Sequence, residues 1–254
     1  MNNLFNLSGK RALVTGAVQG LGFAIAKGLA DHGAQIIINA RNPNKLEAAI
    51  KEFALAGIQV RGYIFDVTDG DAIVSQIDAI EAEVGPIDIL VNNAGIIKRQ
   101  PLEDMPDEDF LEILNTNLAG VFRVSKAVAR KMIGRKQGKI INMCSMMSEL
   151  GRPNVGAYAA SKGGLKMLTK NMATEWAKHN IQVNGIGPGY FITELTKALQ
   201  DDEKFNSFII NRTPAGRWGN PEELIGAAVF LSAEASNFIN GHIIYVDGGI
   251  LAAL

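Results

Sequence analysis

A tyrosine and a lysine four positions apart are the residues of this chain best suited to proton transfer. Tyr158 and Lys162 enclose the run Ala-Ala-Ser. On a helix, side chains at positions i and i+4 share one face, so the ammonium group can lie close to the phenol. A neighbouring cation favours the phenolate and lowers the pKa of a tyrosine from its ordinary value near 10. The spacing therefore predicts a phenol that exchanges a proton near neutral pH, and an interfacial tyrosine beside a solvated lysine is the structural alternative.

A serine upstream of this pair is placed to hold a reacting oxygen. Ser145 follows the apolar run 139–143, which predicts a buried strand. In an open α/β sheet the carboxyl ends of the strands face the ligand crevice. The hydroxyl of Ser145 is therefore expected to hydrogen-bond a substrate carbonyl or alcohol oxygen. An exposed turn serine is the alternative.

A glycine-rich turn near the N-terminus predicts a binding site for a dinucleotide. The apolar run 12–14 is followed by Gly16, Gly20 and Gly22 and then by an amphipathic helix. Strand, glycine turn and helix are the context of a dinucleotide fingerprint, in which backbone N–H groups at the helix N-terminus attract the pyrophosphate. The spacing here is Gly-x-x-x-Gly-x-Gly, and a glycine turn without a ligand stays an alternative.

Together these motifs resemble the short-chain dehydrogenase/reductase family, and the resemblance covers the whole chain. It implies an NAD(P)-dependent oxidoreductase in which the tyrosine is the general acid/base, the lysine holds the nicotinamide ribose, and a helix asparagine holds a water that links the lysine to solvent. It also implies a homotetramer. The residues that match the family's motifs are Gly16, Gly20, Gly22, Asn92, Asn93, Ala94, Gly95, Asn117, Ser145, Tyr158, Lys162, Pro188 and Gly189.

Short apolar runs alternate with helical periodicity, which predicts one α/β domain over residues 1–254. We expect a Rossmann-type, doubly wound sheet of seven mostly parallel strands in the order 3-2-1-4-5-6-7, flanked by helices. Runs without strict alternation are typical of strands buried on both faces. The predicted strands are 12–14, 35–39, 60–65, 87–91, 139–143, 181–186 and 243–246, and the predicted helices are 20–32, 43–56, 70–84, 107–134, 156–179 and 221–232.

The stretch 190–218 breaks this alternation. Residues 193–199 look helical, and the run 212–214 ends the helical pattern with a proline. An insertion after a late strand is a candidate lid over the cofactor, which is also its role in the family. A surface helical excursion is the alternative.

Composition and charge exclude several classes of protein. The formal net charge of −1 gives no reason to expect nucleic acid or a membrane surface as a partner. The one cysteine excludes an internal disulfide and suits a reducing compartment. The N-terminus lacks a signal-peptide core, and no apolar run reaches about 18 residues. The histidines stand in no metal motif. We therefore expect a soluble cytoplasmic protein without a metal.

The end of the second predicted strand favours NADP(H), with NAD(H) possible. NAD-preferring sites usually carry an acid there, whereas this chain carries Arg41, which is suited to a 2′-phosphate. A solvated turn arginine with relaxed cofactor use is the alternative. By resemblance, Asp66 contacts the adenine and Asn93 steadies the strand ends. The predicted cofactor-binding residues are Gly16, Gln19, Gly20, Leu21, Gly22, Arg41, Asn42, Asp66, Val67, Asn93, Ala94, Gly95, Tyr158, Lys162, Pro188, Gly189, Phe191 and Thr193.

Segments around the predicted site resemble the gluconate 5-dehydrogenases of this family, which interconvert D-gluconate and 5-dehydro-D-gluconate. Loop cations suit the carboxylate of a sugar acid, although each is equally a rim charge. The alternatives are a sugar-acid enzyme of the 2-dehydro-3-deoxy-gluconate or 2-deoxy-D-gluconate 3-dehydrogenase type, a 3-ketoacyl-type reductase, and a redox sensor without catalysis, which the complete catalytic set disfavours. The segments concerned are 95–99, 141–152, 184–191 and 212–219. The predicted substrate-binding residues are Lys98, Arg99, Ser145, Arg152 and Tyr158.

Overall fold

Seven short strands form one parallel sheet in the computed structural model, which describes residues 3–254. The strand order is β3-β2-β1-β4-β5-β6-β7, as predicted, and the paired neighbours run parallel. The observed bounds agree with the predicted ones to within two residues. The strands are β1 (Arg11–Thr15), β2 (Gln35–Ala40), β3 (Val60–Ile64), β4 (Ile89–Asn92), β5 (Gly138–Met143), β6 (Ile181–Pro188) and β7 (Ile243–Val246).

Helices connect the strands, and α2 (Pro43–Leu55) and α3 (Gly70–Glu83) begin at residues that satisfy free backbone donors. Asn42 caps α2 by accepting a hydrogen bond from the backbone N–H of Lys45 at 3.0 Å, and Pro43 occupies the first turn. Asp69 caps α3 in the same way. The helices are α1 (Gly20–Asp31), α2 (Pro43–Leu55), α3 (Gly70–Glu83), α4 (Asp107–Leu114), α5 (Val121–Arg135), α6 (Gly156–Trp176), α7 (Lys197–Gln200), α8 (Glu203–Arg212) and α9 (Ile225–Ser232).

Apolar layers cover both faces of the sheet. Alternate residues of β1 separate into them, because successive strand side chains point to opposite faces. Ala12 and Val14 pack with Ile25 of α1, whereas Leu13 packs with Ile77 of α3. Burying an aliphatic side chain of this kind contributes about 1.5–3 kcal/mol, so both layers hold the sheet rigid beneath its carboxyl edge.

A buried network of amides and hydroxyls ties the centre of the sheet to two helices. The Nδ2 of Asn92 donates to the Oδ1 of Asn142 at 2.9 Å and to the Oγ of Ser125 at 2.8 Å. The Nδ2 of Asn142 donates to the Oγ1 of Thr169 at 2.9 Å. These four side chains are buried, and leaving one such polar group unpaired costs about 1–3 kcal/mol. The network therefore fixes the ends of β4 and β5 against α5 and α6.

The predicted helix 107–134 is divided, and the segment after β6 contains one helix beyond the predicted run 193–199. A π-helical turn, Asn115–Gly120, separates α4 from α5 within the predicted helix 107–134. Residues 197–212 form two helices, since the side chain of Asp202 accepts hydrogen bonds from Lys204 N and Phe205 N and starts α8 afresh. None of the helices between residues 3 and 254 combines the length and the hydropathy that a membrane crossing needs.

Candidate active site

A cavity of about 580 Å³ opens at the carboxyl edge of the sheet. This is the side on which open α/β sheets bind their ligands, and the volume suits a nucleotide together with a small substrate. Every residue predicted to bind the cofactor lines this cavity. The structure therefore gathers into one wall residues that stand up to 177 positions apart, from Gly16 to Thr193.

The glycine turn lies tightly against the residues that follow β4. Gly16 has a φ of 63°, which favours glycine, and a Cβ there would lie 2.9 Å from the Cα of Ala94. A Cβ on Gly22 would collide with the amide of Asn93. That amide donates to the carbonyls of Thr15 and Gly16, each at 3.0 Å. The close approach leaves the turn's backbone open to the cavity.

The first turn of α1 keeps its backbone donors available. Gln19 is the N-cap residue, and within the described residues its side chain makes no capping hydrogen bond. Gln19, Gly20 and Leu21 line the cavity. Free N–H groups and the positive end of a helix form a site for an anion, so the cradle fits the pyrophosphate of a dinucleotide.

Two cations stand where β2 ends and α2 begins. Arg41 is 68% exposed at its side chain, and its guanidinium lies 3.9 Å from the carboxylate of Asp66. Lys45, in the first turn of α2, also lines the cavity. Lys45 was not among the predicted site residues. The capping asparagine three residues before it is the sequence signal that places Lys45 in the first turn of α2.

The predicted catalytic side chains meet at one end of the cavity. Tyr158 and Lys162 lie on α6, with the lysine Nζ 5.6 Å from the centre of the tyrosine ring. The Nζ donates to the carbonyl oxygen of Met143, the last residue of β5, at 2.6 Å. Ser145 follows two residues later and is buried, with its Oγ accepting from Met147 N at 3.1 Å. The predicted proximity is therefore found.

Burial is the largest influence on the pKa values of Tyr158 and Lys162. Burial raises the pKa of Tyr158, against the lowering effects of a hydrogen bond with Ser145 and of the charge of Arg99. Burial lowers the pKa of Lys162 to about 8. Burial therefore outweighs the lowering effects on the pKa of Tyr158, and the role of Lys162 in lowering that pKa stays a prediction. The Nζ lies over the ring and donates to the carbonyl of Met143, and its lowered pKa makes the neutral amine accessible near pH 8.

Asn117 lies behind the cavity and does not line it. It is fully buried in the π-helical turn. Its Oδ1 accepts from Ile96 N and its Nδ2 donates to Ile96 O, both at 2.8 Å, while Nδ2 also donates to the Oγ of Ser161 at 3.1 Å. Asn117 thus joins the loop after β4 to the residue preceding Lys162. Its part in a water relay stays a prediction.

Of the three predicted substrate cations, two line the cavity and one does not. Arg99 and Arg152 are cavity residues, but Lys98 is ion-paired with Asp109 and Glu112 of α4. The prediction of Lys98 as a substrate ligand is therefore not supported, because its charge is already compensated on the helix side.

Arg99 and Arg152 are close enough to affect each other. Burial, and then the charge of Arg152, lowers the pKa of Arg99. Among residues 3–254 neither arginine forms a salt bridge, and the Nε of Arg152 is buried without a hydrogen-bond partner. Tyr190 lies near both arginines. Burial raises the pKa of its phenol, and the charges of Arg152 and Arg99 act in the opposite direction. The pair is a preformed place for an anion.

The remaining chemistry of the cavity is limited. Within residues 3–254 no group of three or more His, Cys, Asp or Glu side chains is arranged to hold a metal ion. Burial raises the pKa of Cys144 to about 11, which makes its thiol a poor nucleophile near neutral pH. Met146 and Met147 add an apolar wall beside Ser145 that the sequence analysis did not identify.

Comparisons with known proteins cover nearly the whole chain. A family model described as "Enoyl-(Acyl carrier protein) reductase" matches residues 16–251. The chain is 59% identical to the 2-dehydro-3-deoxy-D-gluconate 5-dehydrogenase of Formosa agariphila, over 99% of this chain and 96% of that protein. It is 54% identical to the 5-keto-D-gluconate 5-reductase of Escherichia coli (strain K12), over 100% of each.

A solved structure agrees in fold as well as in sequence. The gluconate 5-dehydrogenase of Burkholderia cenocepacia, in complex with NADP and tartrate, is 50% identical to this chain, covers 99% of each chain and superimposes with a TM-score of 0.96. Taken with the shared motifs and the strand order, these matches establish that the chain belongs to the short-chain dehydrogenase/reductase family.

Proposed function

We propose that this protein is an NADP(H)-preferring oxidoreductase that interconverts D-gluconate and 5-dehydro-D-gluconate by hydride transfer at C5. One observation carries the proposal. The same cavity contains the Ser145, Tyr158 and Lys162 side chains and, beside them, the uncompensated pair Arg99 and Arg152. A proton-exchanging group next to a carboxylate site suits a hydroxy acid. Relatives of 53–54% identity that are named for this reaction add support.

Tyr158 and Ser145 have different roles in the proposed reaction. In the oxidation direction Tyr158, as phenolate, removes the proton of the C5 hydroxyl, and Ser145 hydrogen-bonds the same oxygen. The nicotinamide of a bound NADP⁺ supplies the hydride acceptor. Reduction runs the same steps backwards, with the Tyr158 phenol returning the proton to the carbonyl oxygen.

Lys162 and Tyr158 act as a coupled pair. With a lysine pKa of about 8 and a raised phenol pKa, the amine is mostly protonated and the phenol neutral at pH 7, and the neutral amine becomes the main form only above about pH 8. When the phenol loses its proton, the resulting negative charge favours protonation of the amine 5.6 Å from its ring centre. The proton is therefore shared by the pair, and apparent pKa values in a rate profile belong to both groups.

A cofactor with a 2′-phosphate suits the end of β2. The exposed contact of Arg41 with Asp66 is worth about 1 kcal/mol or less, so a phosphate displaces it easily. Lys45 offers a second positive charge on the same wall. No acidic residue stands in the run 39–42 to receive a ribose 2′-hydroxyl.

A second substrate is supported by five relatives of 41–59% identity that are named 2-dehydro-3-deoxy-D-gluconate 5-dehydrogenase. The relative that is 59% identical is named for oxidising 2-dehydro-3-deoxy-D-gluconate, also at C5. In this acid and in gluconate the carboxylate is C1 and the reacting hydroxyl is on C5, so the same residues serve both. A 3-ketoacyl-type reductase is less well supported, since full-length relatives of 53–59% identity are named for sugar acids.

The proposal also includes a homotetrameric assembly, a cytoplasmic location and a lid over the cavity. Exposed apolar side chains on α4, α5 and α6, namely Leu111, Phe122 and Met167, support burial between subunits of a homotetramer. The single buried cysteine suits a cytoplasmic location. The segment 190–218 is proposed as a lid, supported by the presence of Phe191, Thr193 and other members of this segment in the cavity wall.

Tyr158→Phe is expected to remove turnover and leave cofactor binding almost unchanged. The substitution deletes the hydroxyl that carries the proton and keeps the ring that packs against Met146 and Met147. Loss of a general acid/base lowers kcat by roughly 10²–10⁴-fold. Steady-state kinetics and a cofactor titration measure the two effects. Retention of more than about a tenth of the wild-type kcat would remove Tyr158 from this role.

Arg41→Ala is expected to lower kcat/KM for NADPH by about 10- to 100-fold and to change the value for NADH by less than about 2-fold. A hydrogen bond to a charged group contributes about 1.5–3 kcal/mol, and only NADPH supplies the phosphate. Lys45→Ala should shift the ratio in the same direction. Lys51→Ala, on an exposed lysine of α2 paired with Glu47, is the control. An unchanged ratio in Arg41→Ala, or a wild-type preference for NADH, contradicts this assignment.

Arg99→Ala is expected to reduce kcat/KM for gluconate by about 10²-fold or more, because a desolvated carboxylate is left without its partner. A neutral hexitol lacks the carboxylate and should lose much less. Lys98→Ala is the matched control, since the neighbouring lysine is paired with α4. Equal losses on both substrates would make Arg99 structural, and a wild type inactive on both gluconate and 5-dehydrogluconate would end the substrate proposal.

A further inference from the structure

Arg152 is held from outside the cavity wall by an aromatic ring. Its guanidinium carbon lies 5.0 Å from the centre of the Phe205 ring. Phe205 belongs to α8, which lies in the segment that follows β6, whereas Arg152 lies in the loop between β5 and α6. A cation over an aromatic face is attracted by the ring quadrupole, and arginine in addition stacks through its planar group.

The ring that holds Arg152 is itself fixed by a chain of aromatic contacts. Phe205 meets Tyr190 edge-on at 5.8 Å between ring centres, and Tyr190 meets Trp218 edge-on at 5.4 Å. The Nε1 of Trp218 donates to the Oδ1 of Asn206, the next residue of α8, at 2.7 Å. These contacts join α8 to the loops before and after it, so the position of the Phe205 ring is determined by the docking of α8.

Arg152 has a hydrogen-bond donor that no acceptor in residues 3–254 satisfies, and an anion could bind it. Its Nε is buried and without a partner, and a buried donor of this kind is costly unless a ligand satisfies it. Arg99 is close enough to repel it, since after burial the charge of Arg152 is the next cause that lowers the pKa of Arg99. A carboxylate between the two guanidinium groups would supply the missing acceptor and remove the repulsion.

We propose that Phe205 is a positioning residue: it holds the guanidinium of Arg152 at the cavity so that Arg152 and Arg99 together bind the carboxylate of the substrate. The inference rests on the proposed sugar-acid function and adds to it a residue outside the cavity wall. It makes recognition of the acid group depend on the docking of α8.

Phe205→Leu, Phe205→Tyr and Phe208→Leu test the proposal in the full-length enzyme. Phe205→Leu keeps an apolar side chain but removes the ring, so KM for gluconate should rise by roughly 5- to 30-fold, with kcat changed by less than about 2-fold. KM for a neutral hexitol should stay within about 2-fold. Phe205→Tyr keeps the aromatic face and should restore the gluconate KM. Phe208→Leu removes the ring 6.2 Å from that of Phe205 and should raise the gluconate KM by less than Phe205→Leu does. Phe238→Leu makes the same change at a fully exposed ring outside α8 and is the control, with no effect expected.

A binding measurement separates this inference from the substrate proposal. Tartrate carries carboxylates, and threitol has the same carbon skeleton with neutral ends. In the presence of NADP⁺, Phe205→Leu should weaken tartrate binding by the same roughly 5- to 30-fold and leave threitol unchanged. If wild type turns over no sugar acid, the proposed function fails, and the tartrate comparison still decides the role of Phe205.

Three results would overturn the inference. One is equal weakening of charged and neutral ligands in Phe205→Leu, which would mean a general loss of structure. Another is a gluconate KM within about 2-fold of wild type in that variant. The last is an absence of tartrate binding by wild type that also lacks activity on sugar acids, which would leave Arg152 without an anionic ligand.

Discussion

The site depends on the burial of one amine. Lys162 is 5% exposed, and its Nζ is held by the carbonyl of Met143 at 2.6 Å. Taking a charged amine out of water is costly, and within the described residues burial is the main influence on its pKa. The neutral form is therefore accessible near pH 8. When protonated, the amine lies 5.6 Å from the centre of the Tyr158 ring, where a positive charge favours the phenolate.

The sheet and its polar network hold the carbonyl group that binds this amine. The carbonyl that holds Nζ belongs to the last residue of β5. The preceding residue, Asn142, binds both Asn92 of β4 and Thr169 of α6 through its amide. A shift of β5 against α6 would break these bonds and move the carbonyl away from Lys162. The geometry of the proton-exchanging pair is thus set by contacts that lie below the cavity.

The two ends of the cavity are built differently. The nucleotide end is made by backbone approach, with glycines where a Cβ would collide with Asn93 or Ala94. Its shape follows from chain geometry and from the free donors of α1. The substrate end is made by side chains from separate loops, with two arginines of like charge and an aromatic ring of α8 behind one of them. Specificity at that end therefore depends on how the segment after β6 docks.

Local patterns predicted the fold and the nucleotide end well. Strand positions follow from apolar runs between turn residues, and the pairing of Tyr158 with Lys162 follows from helix geometry alone. The layers on both faces of the sheet were also readable, because Leu13 and its neighbours are apolar without alternation. In each case the deciding interaction lies within a few residues of the chain.

What the sequence could not supply depends on tertiary contacts. Lys98 is neutralised by Asp109 and Glu112, which lie eleven and fourteen positions away on another element. The raised pKa of Tyr158 comes from burial, which no spacing reveals. The π-helical turn around Asn117 departs from a continuous helical pattern, and the contact of Arg152 with Phe205 joins distant loops.

A titration of the lysine side chains tests the central claim most directly. With lysine labelled at ¹³Cε, NMR spectra between about pH 6 and 11 follow each amine, and the resonance lost in Lys162→Met identifies this one. Lys139 also has a pKa lowered to about 8 by burial, so Lys139→Met is needed to tell the two apart. Lys162 is expected to titrate near 8. A midpoint near the ordinary lysine value of about 10.4 would contradict it.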